Sequence, residues 1–278
     1  MFRHARLHVV DAFTYIALII AALFAILPLL WGLSTSLKPE ALVISATPKW
    51  IPPRMTLENY ELVFDSSVPR ALLNSIIVSL TAVALTLFAA VPAGYGAARY
   101  RFKARNPLLF YILATSMIPG IAVLVPLYVI AIRLGLHNTF LVVILIYSAW
   151  QAPAAVWISK GFFETIPKDI EDAARVDGCS SLRLMLQIML PIVQPGLAAA
   201  AMIAFVYIWN DFLIATTFIT DSDLRLINVA LYQYLSQYGI VWGQLMAAVI
   251  LTLLPVVVMF VLLERRFIEG LTLGATKG

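Results

Sequence analysis

Six long runs free of charged residues dominate the hydrophobic pattern of this chain. They occupy residues 12–37, 71–98, 106–132, 134–159, 184–210 and 226–263. Each run exceeds the roughly 20 apolar residues that a helix needs to cross a bilayer. Their apolar positions are continuous rather than alternating, and a helix satisfies its own backbone groups in lipid. The pattern therefore predicts an all-α polytopic membrane protein with six transmembrane helices.

Polar and proline positions refine these runs. Amide and hydroxyl side chains between 228 and 237 place the start of the last span near Ile240. The first run is too long for a signal-peptide core, so we expect an uncleaved first helix. The loop 38–70 is rich in proline and is expected to have little regular structure. Prolines inside the runs can kink their helices, and they are Pro28, Pro92, Pro119, Pro126, Pro153 and Pro255.

Composition supports the membrane class. Of the 278 residues, 62% are hydrophobic and only 12% are charged, whereas soluble domains carry about 25% charged residues. The net charge of +4 is therefore read as a record of topology rather than as a sign of nucleic-acid binding. Cys179 is the single cysteine, so no internal disulfide can form and a cysteine-based metal site is disfavoured.

The distribution of basic residues predicts the orientation of the six spans. Lysine and arginine are concentrated in the N-terminus, the loop after the second run, the loop after the fourth run and the C-terminus. The loop after the second run holds Arg99, Arg101, Lys103 and Arg105 without an acid. Because cytoplasmic loops carry the excess of basic residues, we expect both termini and these loops in the cytoplasm.

One charge-dense segment, residues 166–178, lies between the fourth and fifth runs. Asp169 is a typical helix N-cap, with Asp172 three residues later as in a capping box. Gly178 suits the left-handed position after a last helical turn. The pattern predicts a short helix over Ile170 to Asp177, followed by a second helix capped by Ser180 or Ser181.

The predicted short helix has two sides. Ile170, Ala173, Ala174 and Val176 form a small apolar side, while Glu171 and Arg175 have the i,i+4 spacing of an ion pair. A helix of this kind suits docking into a groove on another protein. It also suits an ordinary loop helix on the membrane surface, and the residues alone leave both readings open.

The same segment resembles a family signature. Asp172-Ala173-Ala174, then Gly178, then Ile188, Leu190 and Pro191 at fixed spacing are similar to the "EAA" motif of ATP-binding-cassette (ABC) importer permeases. Asp172 stands where the family usually has glutamate, which keeps the charge on a shorter arm. The adjacent Glu171 offers a second carboxylate for that role.

The resemblance extends over most of the chain to the maltose-type carbohydrate permeases, of the second-subunit type. Similar stretches are Asn74-Ser75, Gly94-Tyr95 with Arg99 and Phe102, residues 117–120, 126–128, 134–139 and 162–167, Trp209-Asn210, and the tail 270–278. One departure is Leu226-Ile227-Asn228, where the family commonly has Thr-Leu-Pro.

This resemblance implies a type I ABC importer permease fold in a prokaryotic cytoplasmic (inner) membrane. It implies a single permease domain over 1–278, with a core at about 71–264 and a cytoplasmic coupling segment at 167–191. The implied partners are a second homologous permease, two ATP-binding-cassette ATPases, an extracytoplasmic solute-binding protein, a sugar and membrane lipid. The implied ATPase-coupling residues are Ile170, Glu171, Asp172, Ala173, Ala174, Asp177, Gly178, Ile188, Leu190 and Pro191.

No enzyme activity, metal or cofactor is expected in this chain itself. The sequence contains no phosphate-binding Gly-x-x-x-x-Gly-Lys-Ser/Thr loop, so ATP and Mg²⁺ are expected on the partner ATPases. No cluster of histidine, cysteine and carboxylate falls inside a run, which argues against an intramembrane metal site.

The substrate path is sought among polar and aromatic residues of the spans. Sugars favour aromatic faces together with amide and carboxylate partners, and the candidates are Tyr147, Gln151, Tyr207, Trp209, Asn210 and Asp211. Asp211 is flanked by apolar sequence on both sides, so it fits a pathway residue as well as an interfacial or packing residue.

Other functions stay open at this stage. Within the importer class, the cargo could be a polyol or glycerol phosphate, although basic residues are absent from the middle of the runs. An ion-driven secondary transporter would need paired intramembrane charges and inverted repeats, and neither is evident. A non-transporting membrane scaffold would make the signature a coincidence.

Overall fold

The computed structural model describes the backbone at residues 2–45, 47–236 and 239–275, and side chains at 13–45, 47–235 and 239–265. The chain divides into two compact units, one of residues 1–69 and 230–254 and the other of residues 70–229 and 255–278. The structure is helical apart from loops and a small antiparallel ribbon that pairs Leu235 with Ile240 and Ser236 with Gly239.

The elements follow one another in this order: α1 (Phe2–Ser36), α2 (Glu40–Val43), α3 (Glu58–Phe64), α4 (Val68–Arg99), α5 (Arg105–Thr115), α6 (Gly120–Arg133), α7 (Phe140–Thr165), α8 (Lys168–Val176), α9 (Ser181–Arg183), a π-helical turn (Leu184–Met189), α10 (Leu190–Ile192), α11 (Gln194–Asn210), α12 (Leu213–Phe218), a 3₁₀ turn (Ser222–Leu224), α13 (Ile227–Tyr232), β1 (Leu235–Ser236), β2 (Gly239–Ile240) and α14 (Trp242–Ala275).

Four helices are long and apolar enough to cross a membrane within the described residues: Phe13–Ser36, α4, α7 and Trp242–Arg265. Two further crossings result if each of two bent helix pairs counts as one span, which gives up to six. The predicted polytopic helical fold is therefore confirmed. The last span begins at Trp242, close to the expected Ile240. The third span bends at Pro119, one of the prolines expected to kink their helices, whereas the bend in the fifth span was not predicted.

The third span breaks between α5 and α6, whose axes differ by 92°. Pro119 stands at the break with φ −59° and ψ 125°, immediately before α6. Proline removes a backbone donor and keeps the preceding residue out of the helical region. A side chain at Gly120 would overlap the indole ring of Trp150 on α7, so glycine allows the second half of the span to approach α7.

The fifth span breaks at Val193, where the segment Ser181–Ile192 meets α11 at 77°. Pro191 and Pro195 lie on either side of the break and each removes one backbone donor. Val193 has φ −89° and ψ 3°, outside the regular helical range. The π-helical turn at Leu184–Met189 precedes the break. The bend thus follows from local sequence chemistry.

The expectation of little regular structure in the loop 38–70 is wrong in part, because α2 and α3 lie within it. The side chain of Asn59 on α3 donates to the carbonyl oxygens of Ser36 (2.9 Å) and Lys38 (2.8 Å) at the end of α1. The carboxylate of Glu40 on α2 accepts from the amides of Trp242 (3.1 Å) and Gly243 (2.9 Å). Acceptors at a helix N-terminus satisfy its free donors, so these short helices fasten the loop to α1 and α14.

Lys38 is buried beside this fastening point. Its Nζ lies 4.3 Å from the centre of the Trp31 ring, in the geometry of a cation–π contact. Burial lowers the pKa of Lys38 from its ordinary value. Lys38, which follows α1, is therefore held against the Trp31 ring.

Helices α4 and α7 approach each other closely at Gly94. A Cβ atom at Gly94 would lie 2.7 Å from Ser159 Cβ and 2.9 Å from the backbone nitrogen of Lys160. On α11, a Cβ at Gly196 would overlap the ring of Phe162 on α7. Small residues at both crossings let α7 pack tightly against α4 and α11.

Gly94→Ala should therefore destabilise the protein, by about 1–3 kcal/mol, because the new methyl group meets backbone that cannot rotate away. The matched control is Gly96→Ala on the same helix, where an added Cβ finds nothing within 4 Å. Thermal unfolding in detergent should show a lower midpoint for Gly94→Ala and an unchanged or higher one for Gly96→Ala. Equal midpoints for the two variants would contradict this packing.

Candidate functional site

Helix α8 occupies the charge-dense segment between the fourth and fifth spans. It runs from Lys168 to Val176, preceded by Pro167 with extended backbone, and its N-terminus has no side-chain cap. The predicted cap at Asp169 is wrong, because the helix begins one residue before it. Asp169 and Glu171 lie instead in the first turn, where carboxylates complement the positive end of the helix dipole.

The C-terminus of α8 is as predicted. Gly178 adopts a positive φ of 79°. The amide of Gly178 donates to the Arg175 carbonyl (3.0 Å) and the amide of Cys179 donates to the Ala174 carbonyl (2.9 Å). This pair of bonds is the Schellman motif, which satisfies the last carbonyls of a helix. Ser180 then caps the next helix, accepting from the amide of Arg183 (3.4 Å).

The predicted apolar side of α8 is divided between two faces. Ala174 and Glu171 point inward, with 7% and 5% of their surface exposed. Ile170, Ala173 and Val176 are exposed, and Val176 keeps 88% of its surface. Asp172, Asp177 and Gly178 are exposed as well. Among the described residues, the outer face of α8 therefore has no covering element.

The predicted ion pair between Glu171 and Arg175 is wrong. Glu171 forms its ion pair with Arg99, the last residue of α4, and both side chains are only 7% exposed. Arg99 also donates through Nη2 to the Ile166 carbonyl at the end of α7 (2.9 Å). Arg99 entered the sequence analysis through the charge pattern and the family resemblance, but its pairing with Glu171 was not predicted, because pairing across two spans leaves no local spacing signal.

Under α8 lies a hydrophobic cluster that includes its own Ala174. The other buried members are Val91, Tyr95, Phe163, Ile166, Leu184, Met189 and Val193. Ile188 and Leu190 are partly buried against this cluster, and Pro191 is exposed. Ile188 and Leu190 thus pack beneath the short helix, while the signature positions before Gly178 form the helix itself.

The second set of predicted residues does not form one surface. Tyr147, Gln151 and Trp209 are buried, Tyr207 and Asn210 are exposed, and Asp211 is half-buried. Tyr207 and Asn210 are three residues apart on α11 and therefore share one helix face.

Asp211 has a structural function at the end of α11. Its Oδ1 accepts from the Tyr147 hydroxyl (2.8 Å) and from the amides of Ile214 (2.9 Å) and Ala215 (3.2 Å). The last two bonds cap α12. Asn228 donates to the carbonyl oxygens of Trp209 (2.7 Å) and Asp211 (3.2 Å). The packing interpretation of Asp211 therefore has direct support from its contacts.

Three polar residues hold the loop that follows α12. Asn138, with φ 61°, accepts from the amides of Thr220 (3.0 Å) and Asp221 (2.9 Å). Asn74 donates to the carbonyl oxygens of Asp223 and Arg225, and Ser75 accepts from the amide of Ile227 (2.8 Å). Sequence analysis noted these residues only as family-like. Their role was not predictable from spacing, because their partners are distant in the chain.

A cavity of about 240 Å³ opens at the break in the third span. It is lined mainly by apolar side chains of that span and of α7, including Ile118, Leu127, Trp150 and Pro153, with Thr115 and Ser116 at its edge. Both hydroxyls bond carbonyls of their own helix turn. Among the side chains that the structure describes, no group of three or more potential metal ligands is placed to bind an ion.

The short helix α8, the bent fifth span and the cluster beneath α8 all lie within the part of the chain that a family model matches. The model of the family described as "binding-protein-dependent transport system inner membrane component" matches residues 90–269. The chain belongs to this family of ABC importer permeases.

Similar proteins agree with this membership. The sulfoquinovosyl glycerol transport system permease protein SmoH of Agrobacterium fabrum is 35% identical, over 95% of this chain and 93% of its own. The trehalose/maltose transport system permease protein MalG of Thermococcus litoralis is 31% identical, over 95% of both chains. A crystal structure of a bacterial ABC transporter involved in import of the acidic polysaccharide alginate shares the fold, with a TM-score of 0.80 at 20% identity, covering 94% of this chain and 97% of that chain.

Asp211→Ala should lower the stability of the protein by roughly 1–3 kcal/mol, because it leaves the buried Tyr147 hydroxyl and the start of α12 without an acceptor. Thermal unfolding in detergent measures the effect. Asp223→Ala is the control, since its exposed ion pair with Arg70 should contribute only about 0–1 kcal/mol. A loss no larger than that of the control would contradict the structural role of Asp211.

Proposed function

We propose that this chain is one permease subunit of an ATP-driven importer that moves a di- or oligosaccharide across the cytoplasmic membrane. Its partners are a second, homologous permease, two ATP-binding-cassette ATPases and an extracytoplasmic solute-binding protein. The chain has no ATPase site of its own, and the partner ATPase subunits bind ATP and Mg²⁺. Residues 1–278 serve as one permease domain with its core at about 71–264.

The observation that carries the proposal is the combination of a fixed inner face and an uncovered outer face on α8. Ala174 and Glu171 fasten the helix to the ends of α4 and α7, and the Schellman motif at Gly178 closes it. Ile170, Ala173 and Val176 remain exposed. A rigid helix with small apolar side chains outward is suited to a groove on another protein.

The membrane orientation follows from charge. Arg99 and Arg105 lie at the same end of the spans as α8. Arg99 donates to the carbonyl of Ile166, just after α7, and Arg105 donates to the carboxylate of Glu164 at the end of α7. The positive-inside rule assigns this side to the cytoplasm, where ATP is available. Both termini then lie in the cytoplasm, and segment 167–191 faces the ATPases.

ATP-driven closure of the two ATPases would move α8 and thereby the ends of the spans to which it is fastened. The coupling set is Ile170, Glu171, Asp172, Ala173, Ala174, Asp177, Gly178, Ile188, Leu190 and Pro191. Its members divide by burial into outer residues that meet the ATPase and inner residues that pass the movement on.

A sugar is the cargo that the relatives favour, since the two similar permeases are named for sulfoquinovosyl glycerol and for trehalose and maltose. On this chain, the exposed Tyr207 and Asn210 offer an aromatic face and an amide side by side. These are the groups that bind a sugar ring and its hydroxyls. The other candidates for the path are Tyr147, Gln151, Trp209 and Asp211, which are buried or half-buried.

Ala173→Trp should abolish import, because a large ring on the outer face of α8 keeps the helix out of its groove. Gly178→Leu should act similarly, since a branched residue at a positive φ strains the helix stop. The complex purified through a tag on this chain is reconstituted, and ATP-dependent uptake of labelled neutral disaccharides is measured. Ala104→Trp is the matched control at an exposed position outside α8.

Both α8 variants should insert into the membrane normally, and only the control should import at the wild-type rate. Wild-type uptake by Ala173→Trp and Gly178→Leu would refute the coupling role. Uptake of glycerol phosphate or a polyol in preference to every saccharide would overturn the sugar assignment while leaving the importer class intact.

A further inference from the structure

Arg99 joins three separate elements at one point. It is the last residue of α4, its Nε faces the Glu171 carboxylate on α8, and its Nη2 donates to the Ile166 carbonyl between α7 and α8 (2.9 Å). Both charged side chains are almost fully withdrawn from solvent. We call this arrangement, formed by Arg99, Glu171 and the Ile166 carbonyl, the clamp.

Stability alone does not explain a buried ion pair at this place. Removing two charges from water is costly, and apolar side chains of similar volume often serve stability as well or better. The surrounding cluster is apolar, with Val91, Tyr95 and Ala174 among its members. What the guanidinium adds is a link between two elements, because its Nη2 donates to the Ile166 carbonyl while its Nε is ion-paired with Glu171.

A second arginine already holds the long helices together without α8. Arg105 donates through Nε to the Ala97 carbonyl of α4 (2.6 Å) and through Nη2 to Glu164 of α7 (3.1 Å). The approach of α4 to α7 at Gly94 adds a close backbone contact. Loss of the clamp would therefore leave α8 joined to α4 only through the apolar packing of Ala174 near Val91 and Tyr95, while the two long helices stay associated.

We propose that the clamp is the joint through which movement of α8 is delivered to α4, the second span. This inference rests on the proposed function, because it assumes that an ATPase moves α8. It assigns Glu171 to the inner side of the coupling segment, as a positioning residue that pulls on Arg99 and does not contact the ATPase. The chain connection from α8 to α7 would then be insufficient, by itself, to move α4.

The test uses the reconstituted complex and three variants of this chain. Arg99→Met with Glu171→Leu replaces the clamp by apolar groups and avoids a lone buried charge. Glu171→Gln breaks it from one side. Glu164→Gln is the control, since it removes a carboxylate from the half-exposed pair with Arg105 and Lys160. ATPase co-purification, ATP hydrolysis and sugar imported per ATP hydrolysed are measured for each.

The double variant should keep its ATPases and hydrolyse ATP, while sugar imported per ATP falls roughly tenfold, as expected for a lost coupling between sites. Glu171→Gln should also lower this ratio, because the two side chains act as one unit and either loss breaks it. The Glu164→Gln control should keep the wild-type ratio.

Two results would overturn the joint. If the double variant imports with the wild-type ratio, the clamp carries no movement. If it loses its ATPases, Glu171 serves docking rather than transmission. A failure of the proposed function looks different, because the wild-type complex itself would then show no ATP-dependent uptake of sugar.

Discussion

The fastening of α8 by its inner face is the constraint on which the rest of this site depends. A nine-residue helix is too short to be stable alone in water, since isolated helices shorter than about 12–15 residues are marginal. Here the methyl group of Ala174 enters a hydrophobic cluster, Glu171 meets Arg99, and Gly178 closes the last turn. These contacts order the helix within this chain, without a partner. Its outer residues do not contribute to the packing of this chain, so they can be small.

Close approach of helices also determines how the spans pack. Without water in the bilayer, helices associate through van der Waals contact rather than through apolar burial, and small residues let backbones come together. Gly94 brings α4 onto α7, and Gly196 makes room for Phe162. Where proline interrupts the ladder, at Pro119 and around Val193, the chain bends instead of continuing straight. A permease that alternates between inward-facing and outward-facing states needs both properties: close helix packing at some crossings and bent spans at others.

Local signals in the sequence were sufficient for much of this architecture. Charge-free runs identified the four continuous spans, and Gly178 and Ser180 identified the stop of α8 and the start of the next helix. What failed depended on distant partners. Glu171 pairs with Arg99 rather than with Arg175 because burial of the inner face places it beside the end of α4. The helices α2 and α3 formed despite nearby prolines because Asn59 and Glu40 bond to the ends of α1 and α14.

Asp211 illustrates the limit for the substrate path. From sequence, a carboxylate between apolar stretches fits a pathway residue as well as an interfacial or packing residue, and its bonds to Tyr147 and to the start of α12 support the packing interpretation. Tyr207 and Asn210, by contrast, remain exposed on one face of α11.

The most direct test of the account is photo-crosslinking from the outer face of α8 in native membranes. A benzophenone amino acid is placed at Val176, and at Ile51 in the loop after the first span, both highly exposed; crosslinked chains are identified by mass spectrometry. The account predicts an adduct between Val176 and an ATP-binding-cassette ATPase, and none between Ile51 and that ATPase. An intact complex in which Val176 crosslinks only to lipid, or in which Ile51 captures the ATPase, would contradict it.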